Sequence, residues 1–171
     1  HVYSFGVIHH TPNPKRIVKE IFRVCKPGAT FSVMLYNKSS INYYFEIMFL
    51  RKMLRYALMP KFAPYFISKV VGVDKNKLNR HREILLSEKM TPKRWISINT
   101  DGPDNPLSIV YSKREAIDLF TNAGFYDVST YCRFFDKSHY GYFGNIISNN
   151  FSDRIGNRLG WHRLVEGVKP F

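Results

Sequence analysis

The sequence predicts an α/β fold, a mostly parallel sheet with flanking helices, and three observations carry it. "VYSF" and "ATFSVMLY" are short runs of β-forming residues separated by an amphipathic helical pattern, and strand–helix–strand units join parallel strands by a right-handed crossover. A second passage from helix to strand, "YSKREAIDLFTNAGFYDVSTYCRFF", begins at Tyr111. Another strand pattern, "GWHRLVEGVKP", ends at Pro170.

Residues 2 to 5 read as the end of a strand, with Gly6 as the point where the backbone turns or lets a ligand approach. In "HHTPNP", Pro12 and Pro14 push the residues before them toward extended geometry. Asn13 is a good N-cap and Pro14 a good first helical residue. Ile17, Ile21, Val24 and Cys25 then recur at helical spacing, while Lys15, Arg16, Lys19 and Arg23 face away. "KPG" ends this helix, with Lys26 complementing the dipole and Gly28 free to take a left-handed cap. "ATFSVMLY" is nearly all apolar, as suits the inside of a parallel sheet. Downstream, Ser112 with Glu115 forms a capping box. Ala116, Leu119, Phe120 and Ala123 share one face, and Gly124 is the stop. The β-branched and aromatic content of "YDVSTYCRFF" marks a strand, and the last strand is bounded by Gly160 and Pro170.

Composition bounds the function classes. Of 171 residues, 44% are hydrophobic, enough for one globular domain and too little for two comfortable ones. No run reaches the eighteen or so apolar residues of a membrane span, and the reading expects a cytoplasmic protein. Cys25 and Cys132 lie far apart with no metal-binding spacing, which supports neither a disulfide framework nor a zinc site. The net charge is +13, and its place matters more than its size. Between Lys38 and Arg94 there are 13 basic residues and four acidic ones, 13 − 4 = +9. Such a segment suits anionic lipid headgroups, a phosphorylated substrate or RNA, or is a solvated surface.

"VYSFGVIHHTPNPKRIVKEIFRVCKPGATFSVMLY" resembles the C-terminal half of the class I S-adenosylmethionine-dependent methyltransferases. In that family a strand ending in an apolar–Gly/Glu–Val–Leu–x–His element is followed by a "pdp" turn, a helix, "RVLKPGG" and the next strand. "NAGFYDVSTY" looks like the family's sixth strand with its preceding helix, and "GWHRLVEGVKP" like its antiparallel seventh. The resemblance implies a Rossmann-like fold, S-adenosylmethionine as cofactor, and a division into core (1–37), helical basic insertion or substrate lid (38–107) and remaining core (108–171). The family's Gly-rich cofactor loop and the acidic residue that holds the ribose have no counterpart here. "GYFG" at 141–144 is a weak candidate, lacking a preceding strand. A chain that opens on His1 at a strand end is therefore expected to be a piece of a longer domain, with an open sheet edge through which it pairs.

Methyl transfer from a sulfonium is an in-line displacement, so alignment and exclusion of water come first and a base second. Ligands of open parallel sheets lie beyond the carboxyl ends of the strands, which puts Ser4, Phe5 and Gly6 at the cofactor's edge. His9 and His10 are the candidate base or acceptor-orienting groups, since His titrates near neutral pH; either is also able to cap the turn. Adjacent His residues point apart in extended backbone, so no metal is expected. Tyr36 and Asn37 end the next strand, and Asp101, Asn105 and Tyr111 belong to the loop "TDGPDNPLSIVYS". These five are the candidate acceptor contacts, with helix starting and turn formation as their structural alternatives.

"INYYFEIMFLRKMLRYALMPKF", 41–62, has a broad apolar face with Arg51, Lys52 and Arg55 on its polar side, the pattern of a substrate lid or of a helix lying on a membrane. Arg80, His81 and Arg82 form the densest basic cluster, without the interleaved aromatics of an RNA-binding surface. The sequence thus supports an enzyme that methylates a small-molecule, lipid or glycan acceptor. The competing class is a non-catalytic, basic, membrane- or nucleic-acid-associating module on the same scaffold.

Overall fold

Among the described residues five strands form where β-branched and aromatic residues concentrate: β1 (Val2–Ser4), β2 (Thr30–Asn37), β3 (Val110–Tyr111), β4 (Tyr126–Arg133) and β5 (His162–Val168). The structure, a computed structural model, describes residues 1–102, 104–135 and 148–171, so "GYFG" at 141–144 lies outside the described residues. The strands make one sheet in the order β1–β2–β5–β4, with β3 also on β2. β1 and β3 run parallel to β2, whereas β5 is antiparallel to both β2 and β4. Because β5 takes one edge of β2 from Thr30 to Tyr36, β1 and β3 share the other. β1 lies beside 31–33 and β3 beside 36–37. Gly6, at φ +76°, turns the chain out of the sheet before β3 takes its place. The architecture is α/β and Rossmann-like, with a helical insertion and one antiparallel strand.

Two compact units divide the chain: residues 1–44 with 109–171, and residues 45–108. In the first, α1 (Pro14–Val24) and α6 (Lys113–Thr121) cover the sheet. Their N-termini are capped as the sequence directs. The Asn13 side chain accepts from the Arg16 N–H, and Ser112 and Glu115 bond reciprocally. The core is built around Phe31, whose ring stacks on Phe120 at 4.6 Å and meets Phe125 at 4.4 Å. Val18, Leu35, Ala116 and Val165 are fully buried with it. Two carbonyls at the end of α1 are met by a distant cation: Lys169 Nζ donates to Phe22 O and Cys25 O, both at 2.8 Å. Gly28 is left-handed, but in the turn into β2 and not as the helix cap, which is Cys25 in extended geometry. Both cysteines are free and buried.

Two local features depart from the sequence reading. Ile8–His10 form a 3-10 turn, not an extended segment. The helix α7 (Asn149–Leu159) had no counterpart in it; Ser148 caps it through the Phe151 N–H, and it packs on β4.

The second unit contains α2 (Arg51–Ala57), α3 (Ala63–Val71), α4 (Lys75–Ser87) and α5 (Pro92–Thr100). A π-helical run, Asn42–Leu50, leads into it. Ile47, Leu58, Ala63, Leu78, Leu85, Trp95 and Ile98 are buried apolar residues of it, and the Trp95 indole N–H reaches Ile47 O at 3.1 Å. Asp74 and Thr91 cap α4 and α5, while Gly72 ends α3 at φ +72°.

Candidate active site

The carboxyl ends of β1 and β2 meet in an aromatic wall. After β1 the chain passes Phe5 and Gly6 into the 3-10 turn, where His10 N–H donates to Val7 O at 3.0 Å and Thr11 N–H to Ile8 O at 3.2 Å. The turn is held against the segment entering β3, for Ile109 N–H donates to His9 O at 2.9 Å. His9 is fully buried and lies over Tyr36, with ring centroids 3.8 Å apart. The curled backbone also brings the two imidazoles to 4.3 Å, so the expectation that they point apart fails. His10 is half-buried and stands edge-on to Tyr36, whose other neighbour is the Trp161 ring at 4.4 Å. Beside this group, Phe5 meets the edge of His162 at 5.3 Å, and His162 stacks on Phe134 at 4.5 Å. Trp161, His162 and Phe134 were not among the sequence candidates. The signal available for them was their place next to the last two strands, which antiparallel pairing carries back to the end of β2.

Ser4 is half-buried, while Phe5 is exposed. A Cβ at Gly6 would meet nothing within 4 Å, so the backbone there is open to a ligand. Asn37, fully buried, faces the chain itself. Its amide donates to Gly160 O at 2.9 Å and accepts from Arg163 Nη2 at 2.6 Å and Ser39 N–H at 3.0 Å. Arg163 is itself buried, and desolvation holds its guanidinium below its ordinary value. Tyr111 pairs with Asn37 across β3 and β2. Its hydroxyl is buried without a partner among the described residues, and burial, with Glu115 adding to it, pushes the phenol up to about 12. A phenol in that state donates a hydrogen bond and does not act as a base at neutral pH. Burial also lowers the His162 imidazole.

Asp101 and Asn105 belong to the other unit. There the Asn105 amide donates to Ser108 Oγ at 2.6 Å and to Asp101 Oδ2 at 3.3 Å, and Ser108 Oγ bonds Asp101 at 3.0 Å and Thr100 at 2.8 Å. This network closes the loop on α5. The basic cluster is largely engaged within the same unit: Arg80 pairs with Asp104 at 2.6 Å, and Arg82 donates to Met59 O at 2.8 Å.

An open glycine backbone, an exposed Phe and a half-buried imidazole thus stand together at the carboxyl ends of β1 and β2, where a small ligand has access.

Residues 1–33 match the family model of the methyltransferase domain, so β1, the 3-10 turn, α1 and the first half of β2 carry that domain's pattern. A crystal structure from Thermotoga maritima, described as a SAM-dependent methyltransferase and possible histamine N-methyltransferase, is similar at 15% identity and a TM-score of 0.48. The likeness covers 98% of this chain and 54% of that one, so this chain spans about half its length. No curated protein matches the sequence.

Proposed function

We propose that this chain forms the acceptor-facing side of a methyltransferase that moves a methyl group from S-adenosylmethionine to a small-molecule, lipid or glycan acceptor. The observation that carries the reading is the methyltransferase-domain match over residues 1–33, which includes the loop where Gly6, His9 and His10 stand. The sequence holds no strand followed by a Gly-rich loop, and the reading assigns adenosine binding to residues of the protein beyond these 171. When bound, S-adenosylmethionine supplies a methyl group on a positively charged sulfur. Ser4, Phe5 and the Gly6 backbone line its methionine end. Aromatic rings favour a cationic neighbour, and the exposed Phe5 offers its ring to one. His10 orients the acceptor and takes its proton where the acceptor atom carries one. His9 acts through Tyr36 as a positioning residue, because its ring is buried beneath the wall. The Tyr111 hydroxyl donates to an acceptor oxygen or nitrogen.

Calorimetric titration of S-adenosylhomocysteine into the 171-residue chain and into the full-length protein tests this. Binding to the full-length protein alone supports it. Binding to neither returns the chain to the non-catalytic class.

A further inference from the structure

The helical unit shows apolar surface where a solvated unit would show charge. About half of the exposed large apolar side chains among the described residues fall within 45–73. In α3 and its N-cap the exposure follows the helix: Phe62, Phe66 and Val70, one turn apart, are 65%, 59% and 84% exposed. Tyr65 stands beside them, whereas Ala63 is buried. α2 adds Met53 and Tyr56, both exposed. An ordinary surface helix turns its apolar stripe inward, and a contiguous outward one marks an interaction surface.

Charge decides what covers it. Residues 45–73 hold five basic residues (51, 52, 55, 61, 69) and Glu46, 5 − 1 = +4. Glu46 is already bound to Arg51 at 2.5 Å. Lys52, Lys61 and Lys69 are exposed and have no ion pair among the described residues. Lys69 Nζ lies 4.5 Å over the Tyr65 ring, so cation and aromatic share one level of the surface. A second copy docked on this face would oppose lysines to lysines with no free carboxylate between them. Anionic headgroups over a hydrocarbon layer satisfy both halves, taking the rings into the interface and the ammonium groups at the phosphates.

We infer that residues 45–73, led by the Phe62–Phe66–Val70 stripe of α3 and the flanking lysines, form a docking surface for an anionic lipid bilayer. The inference is independent of methyl transfer, since vesicle binding is read with neither cofactor nor acceptor present. The experiment is flotation of the chain with vesicles of phosphatidylcholine alone and of phosphatidylcholine with about one-third phosphatidylserine. Binding to the anionic vesicles only, weakened by salt, is expected. Lys52→Gln with Lys61→Gln and Lys69→Gln should lower partitioning roughly a hundredfold, about fivefold per lysine. Phe62→Ser with Phe66→Ser should also lower it, with the circular dichroism spectrum and melting temperature kept, because both rings are exposed. Failure to float, binding that survives loss of the two Phe, or self-association on this face without vesicle binding would each overturn the assignment.

Discussion

Asn37→Ala separates a residue that serves the fold from one that serves the acceptor. The side chain is fully buried, and its loss strips Arg163, itself buried, of a 2.6 Å acceptor while leaving Thr130 Oγ1 at 3.4 Å. A buried charged group deprived of its partner costs about 2–3 kcal/mol, and the Gly160 carbonyl that loses its donor adds about 1. The sum, about 3–4 kcal/mol, is a large part of the stability of a domain. For a chain of this size it lowers the melting temperature by about 6–16 °C. Arg163→Met tests the cause. With the charge gone, Asn37→Ala should cost only about 1 kcal/mol, so the double-mutant cycle should return a coupling of about 2 kcal/mol. Urea titrations of the four proteins give that number. Additivity within about 0.5 kcal/mol would show that no such bond stabilises the chain. Unchanged stability with weakened acceptor binding in the full-length protein would return Asn37 to the substrate.

Two glycines should respond in opposite ways. A Cβ at Gly160 would lie 2.2 Å from Arg133 O, a backbone atom that cannot yield, so Gly160→Ala should prevent soluble expression. Gly6→Ala meets no neighbour and bears only the left-handed φ of +76°, about 1–2 kcal/mol, yet it should weaken S-adenosylhomocysteine binding to the full-length protein in calorimetry. Burial lowers the imidazoles of His162 and His81 from 6.5, so the unfolded chain binds more protons just below that value. Stability should therefore be complete above about pH 6.5 and decline as the pH falls. His162→Phe, which keeps the stack on Phe134, should flatten the decline in melts between pH 7 and 5. If the proposed methyl transfer is the activity, His10→Ala in the full-length protein should lower turnover with little change in melting temperature; equal loss of both would make the residue structural.

The parts of the fold legible in the sequence are those whose signals are local. Asn13–Pro14 and Ser112–Glu115 are short-range hydrogen-bond patterns, and both caps stand where they were read. "ATFSVMLY" is legible as a buried strand because its apolarity comes from being enclosed on both faces. The π-helical run at 42–50 was not legible, since "NYYFEIMFL" is apolar all round and has no period to read. α7 escaped because its sequence, "NNFSDRIGNRL", buries little: Ser152 and Gly156 are its buried positions. The candidate site was legible as a place, the carboxyl ends of two strands, more than as a set of side chains. Nothing in the spacing of Asn37 and Arg163 announces a hydrogen bond across 126 residues, nor does adjacency reveal that His9 and His10 curl together.

The pairing of β2 with β5 has a further consequence, for synthesis. At about 5–20 residues per second, about 6–25 seconds separate the end of β2 from the start of its antiparallel neighbour. The apolar strand waits through that interval with one edge unsealed, while the helices of 45–108, whose contacts are local, have everything they need to form. Folding thus runs from the inserted unit outward, and β2, made before that unit, is enclosed after it. A ribosome-bound chain stalled before Trp161 should hold a folded insertion and an open, chaperone-binding β2.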